Sequence, residues 1–255
     1  MNRILAIGCQ NLRRNMMTKL YTFGCSYTFG QGLDDLPKSF KNNPTPISPS
    51  KLVWTNHVAT ALGYELVNLA VPGISNRQIV HIVLNELPYI DPKGKVIIHW
   101  THIGRKMIFT DDPSRCNGPG KTFKNVRHNA ISHIEKISPW IKTETSENYY
   151  KHIGNEFDWC HDAIMLMDYI DLKLKQHGVS KVLHLGPAVG ANIDSISTLL
   201  NGLQEDLYIS KMYRDETVIH LMKIDKAKHD SHPGIKTQHK YAQHIIKEHG
   251  EYLNG

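Results

Sequence analysis

The sequence predicts an α/β fold: a three-layer α/β/α sandwich around a roughly five-stranded parallel sheet. Three observations predict it. Short apolar runs alternate with amphipathic stretches along the chain, the pattern of βαβ units rather than of hairpins. The runs are apolar almost throughout, as in KVIIHW, so helices must cover both faces of the sheet. Most of the runs end at glycine or proline, where a strand gives way to a turn.

The elements follow in order. Lys19–Gly24 reads as a short buried strand ending at a glycine. Residues 34–50 hold Pro37, Pro44, Pro46 and Pro49, and proline's lost donor and fixed φ make this an irregular loop. Leu52–Leu62 reads as a helix stopped by Gly63. Glu65–Ala70 is a second strand closed by Pro72 and Gly73, and Ser75 caps a helix running through Leu87 with Ile79, Val83 and Leu87 on one face. After a turn at Asp91–Gly94, Lys95–Trp100 is the third strand.

Residues 105–155 are the least periodic part, with Pro113, Pro119 and Pro139 and a weak helical pattern over 127–137. They read as an insertion at the carboxyl end of a strand, where α/β proteins keep functional loops. Phe157, Cys160, Ile164, Met167, Ile170 and Leu174 then recur at helical spacing up to Gly178. Lys181–Gly186 is a fourth strand, Ile193–Leu203 another helix, Val218–Ile224 a fifth strand and His239–His249 a closing helix. Residues 18–255 read as one domain. Residues 1–17 read as a disordered extension or as lying before the true start, with Met16 and Met17 just ahead of the first strand.

Composition narrows the function classes. At 255 residues with 40% hydrophobic and 21% charged side chains, the chain is an ordinary globular one. The net charge of +6 is spread along the chain, without a zinc-finger spacing, an RNA-binding aromatic motif or an arginine stripe, so nucleic acid is not an expected partner. No apolar run is long enough for a membrane span. The apolar segment Ile4–Gly8 before Cys9 is too short for a signal core, so a cytoplasmic or virion-associated location is expected. The cysteines Cys9, Cys25, Cys116 and Cys160 form no CxxC pair, which argues against a disulfide framework. No motif calls for a cofactor, and nothing in the chain indicates an oligomeric state.

Four clusters carry chemistry, three at strand ends. Gly24–Gly30 (GCSYTFG) follows the first strand and puts Ser26 where parallel sheets bind ligands; no Gly-Lys-Ser/Thr follows, so it is not a P-loop. Gly73, after the second strand, offers an unhindered N–H to an oxyanion, and Asn76 offers an amide or a helix start. Thr101, His102 and Arg105 follow the third strand, and Arg105 suits a carboxylate or a developing charge. Asp230 and His232 stand just before the last helix. A serine becomes nucleophilic when a histidine takes its proton, and a carboxylate holds that histidine in the needed tautomer.

Taken in chain order, these clusters resemble the SGNH/GDSL hydrolase superfamily. GCSYTFG resembles the GDSxTxG block, with Cys25 in place of the aspartate; NLAVPG resembles the second block; HDSHPG resembles the block carrying the catalytic Asp and His. The resemblance implies a flavodoxin-like sandwich and an esterase or acylhydrolase with Ser26, His232 and Asp230 as its triad. It implies Gly73 at the oxyanion hole, and short acyl esters as substrates, with acetyl groups on a saccharide among them. Trp54, Trp100, Trp140, Tyr149 and Tyr150 are candidate sugar platforms. The chain departs from the family at the third block, where WTHIGR stands in place of GxND. Thr101 or His102 is then the expected substitute donor, or the Ser26 and Gly73 N–H groups act alone. The Asp-to-His spacing is also two residues rather than three.

Two other readings stand beside this one. A non-catalytic module with the same fold, for instance in a virion, accounts for the missing asparagine. A metal-dependent phosphoesterase would draw on Asp34, His99, His102, His229, Asp230 and His232.

Overall fold

The computed structural model describes residues 17–38, 47–116, 125–126, 134–186 and 222–255. Among these residues the central sheet has four strands: β1 (Lys19–Gly24), β2 (Glu65–Asn68), β3 (Lys95–His99) and β6 (Lys181–Leu185). They lie in the order β2-β1-β3-β6, and every pairing is parallel. The fifth strand expected at Val218–Ile224 falls largely outside the described residues, and 222–224 carry no strand. The helix expected at 193–203 also falls outside them.

Side-chain alternation along the strands builds two cores. Tyr21, Phe23, Val96, Ile98 and Val182 face one layer, where α3 (Asn76–Glu86) packs on α5 (Glu156–Gln176). Leu20, Ile97, Leu183 and Leu185 face the other, where α2 (Trp54–Leu62) packs on α6 (Ile235–Asn254). The period of two in the strands thus sorts each apolar run between two helical layers. Trp54, Trp100 and Tyr241 are fully buried. Trp54 and Trp100 are therefore core residues and not sugar platforms.

Several helix boundaries follow from caps. The Ser75 side chain accepts from the Gln78 N–H while Gln78 binds back to Ser75, a reciprocal box that starts α3. Asn155 starts α5 and Thr143 starts α4 (Glu144–His152) with a one-way cap, the side chain accepting the N–H of Asp158 and of Ser146 respectively. α6 opens differently. Its first N–H groups, at Lys236 and Thr237, donate to the carboxylate of Asp225, which lies outside the helix.

The 105–155 region holds a hairpin. β4 (Lys106–Phe109) pairs antiparallel with β5 (Ile134–Ile137), Met107 standing opposite Lys136. Ile134–Ile137 is a strand, which corrects the helical reading of its end of 127–137; residues 127–133 lie outside the described set. Glu and Lys at 135 and 136 favour helix weakly, and pairing with β4 outweighs that preference.

Candidate active site

The site begins with topology. β2 lies on one side of β1 and β3 on the other, so the chain changes direction between β1 and β3. A crevice opens at the carboxyl ends of such a strand pair. Gly24 is level with His99 in the β1–β3 register, so Ser26 and Thr101 leave the sheet side by side.

Ser26 opens α1 (Ser26–Phe29), a single helical turn. Cys25 is extended before it, and the Thr28 and Phe29 N–H groups return to the Cys25 carbonyl. The Ser26 and Tyr27 N–H groups precede the first intrahelical bond, so they face outward at the helix start. Ser26 itself is buried, at 7% exposure. The turn is held from beneath. Thr28 Oγ1 lies 2.9 Å from His99 Nδ1, and Asn68 Nδ2 donates to the Thr28 carbonyl at 2.8 Å.

The Asp230–His232 loop docks on the segment that follows this turn. His229 N–H donates to the Gly32 carbonyl, and Gln31 Nε2 donates to Asp230 Oδ2 at 3.2 Å. Asp230 Oδ1 accepts the His232 N–H at 2.8 Å. Gly32 has φ +84°, and a methyl group on it would lie 2.3 Å from Asp230 Oδ1. The carboxylate therefore rests where only glycine leaves room.

His232 Nδ1 lies 2.9 Å from Asp230 Oδ2, a contact that becomes an ion pair when the ring is protonated. The imidazole meets the Tyr27 ring edge to face, with centroids 5.3 Å apart. Burial lowers the His232 pKa below its usual 6.5, the Asp230 charge opposes this, and Lys223 and Arg105 add to the lowering. Burial raises the Tyr27 hydroxyl to about 12. Tyr27 is thus a neutral wall of the site at neutral pH.

The loop is tied at its base. Ala227 N–H binds the His232 carbonyl, Gly234 N–H binds the Asp225 carbonyl, and Lys226 bridges Pro233. The same Asp225 whose carboxylate caps α6 therefore also closes the loop that carries Asp230 and His232.

The other predicted residues line the β3 side. Asn76 grips the Thr101 backbone at both ends: Oδ1 accepts its N–H at 2.9 Å and Nδ2 donates to its carbonyl at 3.3 Å. Asn76 thus joins the start of α3 to the end of β3 and is not the cap of its helix, which is Ser75. Thr101 is buried, and its hydroxyl accepts from Arg105 Nη1 at 3.0 Å. The same nitrogen donates to the Ile74 carbonyl at 3.0 Å, and the guanidinium lies over the half-exposed Trp140 ring at 5.3 Å.

His102 Nδ1 accepts the Gly104 N–H at 3.0 Å, which puts the ring proton on Nε2. Its ring meets Trp140 edge to face, and burial, then Arg105, hold its pKa at about 4, so it is neutral near pH 7.

Gly73 has φ +73°, and a methyl group on it would meet Lys136 Nζ at 3.2 Å. Sequence reasoning missed Lys136, along with Gln31, Tyr27 and Asp225. Only Tyr27 and Gln31, beside the Ser26 block, carried any signal. Trp140 alone of the candidate platform tryptophans is exposed, and it lies beside Arg105 and His102; Tyr149 and Tyr150 are half-buried. Among the described residues no three His, Cys, Asp or Glu side chains gather as a metal site, and His99 is locked in the core against Thr28. Among the same residues no helix is long and apolar enough to cross a membrane. Cys25, Cys116 and Cys160 are free thiols; Cys9 lies outside the described set.

A parallel sheet between two helical layers, with its crevice at the β1–β3 switch, is the architecture of the SGNH/GDSL hydrolases. Comparison with solved structures gives the same fold. TesA superposes with a TM-score of 0.50 at 13% identity, covering 92% of this chain and 100% of TesA. The acetyl xylan esterase Est2A from the rumen bacterium Butyrivibrio proteoclasticus also superposes at 0.50, with 14% identity over 92% of this chain and 64% of Est2A. No family model and no curated protein matches the sequence. The chain has the SGNH/GDSL hydrolase fold.

Proposed function

We propose that the chain is a serine esterase that removes short acyl groups, acetyl among them, from a saccharide. The observation that carries this reading is the docking of the Asp230–His232 pair, through Tyr27, Gln31 and Gly32, onto the helical turn that Ser26 opens. With Nδ1 turned to Asp230, Nε2 is the nitrogen left to take the Ser26 proton. Ser26 Oγ then bonds to the ester carbonyl carbon and the carbonyl oxygen becomes an oxyanion facing the Ser26 and Gly73 N–H groups. The oxyanion collapses, the C–O bond to the alcohol breaks, and His232 returns the proton to the leaving alcohol. Water repeats the sequence and frees the acid and Ser26.

Substrate class rests on two supports. Trp140 is half-exposed beside the site, as a stacking face for a sugar ring. A structural neighbour, Est2A, is named as an acetyl xylan esterase. The test is turnover of p-nitrophenyl acetate and an acetylated xylo-oligosaccharide, with fluorophosphonate labelling of Ser26. Ser26→Ala is expected to abolish both labelling and turnover at an unchanged melting temperature. An unlabelled serine with no turnover would return the chain to a non-catalytic module of the same fold, and full turnover in Ser26→Ala would remove Ser26 from the mechanism.

A further inference from the structure

The third-block asparagine is missing, and the residues around its place are engaged elsewhere. Thr101 N–H donates to Asn76, the Thr101 hydroxyl accepts from Arg105, and the His102 ring is fixed by Gly104 and Trp140. The 106–137 hairpin brings a different group to the site. Lys136, opposite Met107 in β5, sends its half-buried side chain to Gly73, so that Nζ lies 3.2 Å from where a methyl on that glycine would be. Arg105 binds the next carbonyl along, that of Ile74. Two cations thus meet the Gly73–Ile74 turn.

We propose that Lys136 is a catalytic residue whose ammonium donates to the ester oxyanion at Gly73, in place of the missing neutral amide. The inference rests on the esterase reading above. A charge-assisted hydrogen bond is about twice as strong as a neutral one, so a single ammonium can stand in for an asparagine. It acts most strongly where charge develops in a site sheltered from water. Burial, and then the Arg105 charge, lower the Lys136 pKa to about 8. The group is therefore still mainly protonated at pH 7 and a stronger donor than an ordinary lysine. The hairpin that carries Lys136 lies in the least periodic stretch of the sequence, so the group comes from the insertion rather than from the strand end where this fold usually supplies it.

The experiment compares Lys136→Met, Lys136→Ala and Lys136→Arg with the wild-type chain on p-nitrophenyl acetate and on the carboxylate-bearing p-nitrophenyl hemisuccinate. Met and Ala are expected to lower kcat on both esters by roughly 10²–10³-fold, the size of a lost oxyanion donor, with little change in KM. Arg is expected to recover most of the loss. Thermal melts accompany each variant, and either Met or Ala, if folded, decides. Wild-type kcat in a folded variant overturns the proposal. So does a rise in KM confined to the hemisuccinate, which would make Lys136 an anchor for a substrate carboxylate. Ser26→Ala in parallel separates the two readings: if it stays active, the esterase reading falls; if it is dead while Lys136→Met is unimpaired, only the role of Lys136 falls.

Discussion

The Asp230 carboxylate lies directly over Gly32, so near that a methyl on the glycine would come within 2.3 Å of Oδ1. The contact joins the loop after the Ser26 turn to the loop before the last helix, two parts of the chain far apart in sequence. It sets where the Asp230–His232 pair can stand relative to Ser26, and three predictions follow the path from this contact outward.

Gly32→Ala is expected to fail twice over. Alanine at φ +84° costs about 1–2 kcal/mol of backbone strain, and the carboxylate must also move. At about 2–4 °C per kcal/mol for a chain of this length, the melting temperature should fall by at least a few degrees. Turnover of p-nitrophenyl acetate should fall further than stability, because Asp230 is displaced from His232. A variant with wild-type melting and wild-type kcat would show that the contact does not position the pair.

Asp225→Ala removes the carboxylate that accepts the Thr237 N–H at 2.8 Å, the Thr237 hydroxyl at 2.6 Å and the Lys236 N–H at 3.0 Å. Losing such a helix cap costs about 0.5–2 kcal/mol, which a melting curve resolves. The bond that closes the Asp230–His232 loop goes to the Asp225 backbone carbonyl, which alanine keeps, so kcat should change less than stability. Asp225→Asn is expected to keep part of the cap and lie between the two. An unchanged melt in Asp225→Ala would sink the assignment.

In the proposed mechanism His232 must be neutral to accept the Ser26 proton, and the pH dependence follows from that. Burial first, then Lys223 and Arg105, lower its pKa below 6.5 against the pull of Asp230. kcat/KM should therefore rise with pH through a limb lying below 6.5, and fall again near pH 8 as Lys136 loses the proton it donates. Arg105→Met removes a positive charge and favours the imidazolium, so its limb should move to higher pH. Asp230→Asn should move it lower while cutting the rate. A wild-type limb centred above pH 7 would contradict the environment described for the ring.

Strand periodicity and turn residues were enough to read the parallel sandwich. β1, β2, β3 and β6 fall within the expected runs, and the helices at 54–62, 76–86 and 156–176 fall close to theirs. The hairpin was not legible: β5 spans only Ile134–Ile137, too short for a periodic signal, and its Glu135 and Lys136 favour helix until β4 pairs with them. The α6 cap was missed for a related reason. Its donor-binding carboxylate, Asp225, lies outside the helix, whereas sequence reading looks for a cap at the residue just before it.

The site divides along the same line. Local chemistry marked Ser26, Gly73, Asp230 and His232, because each stands in a short block whose glycines and prolines are readable one residue at a time. By itself, then, the sequence determined the layers of the fold and the blocks from which a site could be drawn. The tertiary structure decided that Asn76 clamps Thr101, that Trp54 and Trp100 belong to the core, and that Lys136 reaches Gly73. Those are contacts between distant segments. They depend on strand order and hairpin register, which residue patterns within a few turns of chain do not encode.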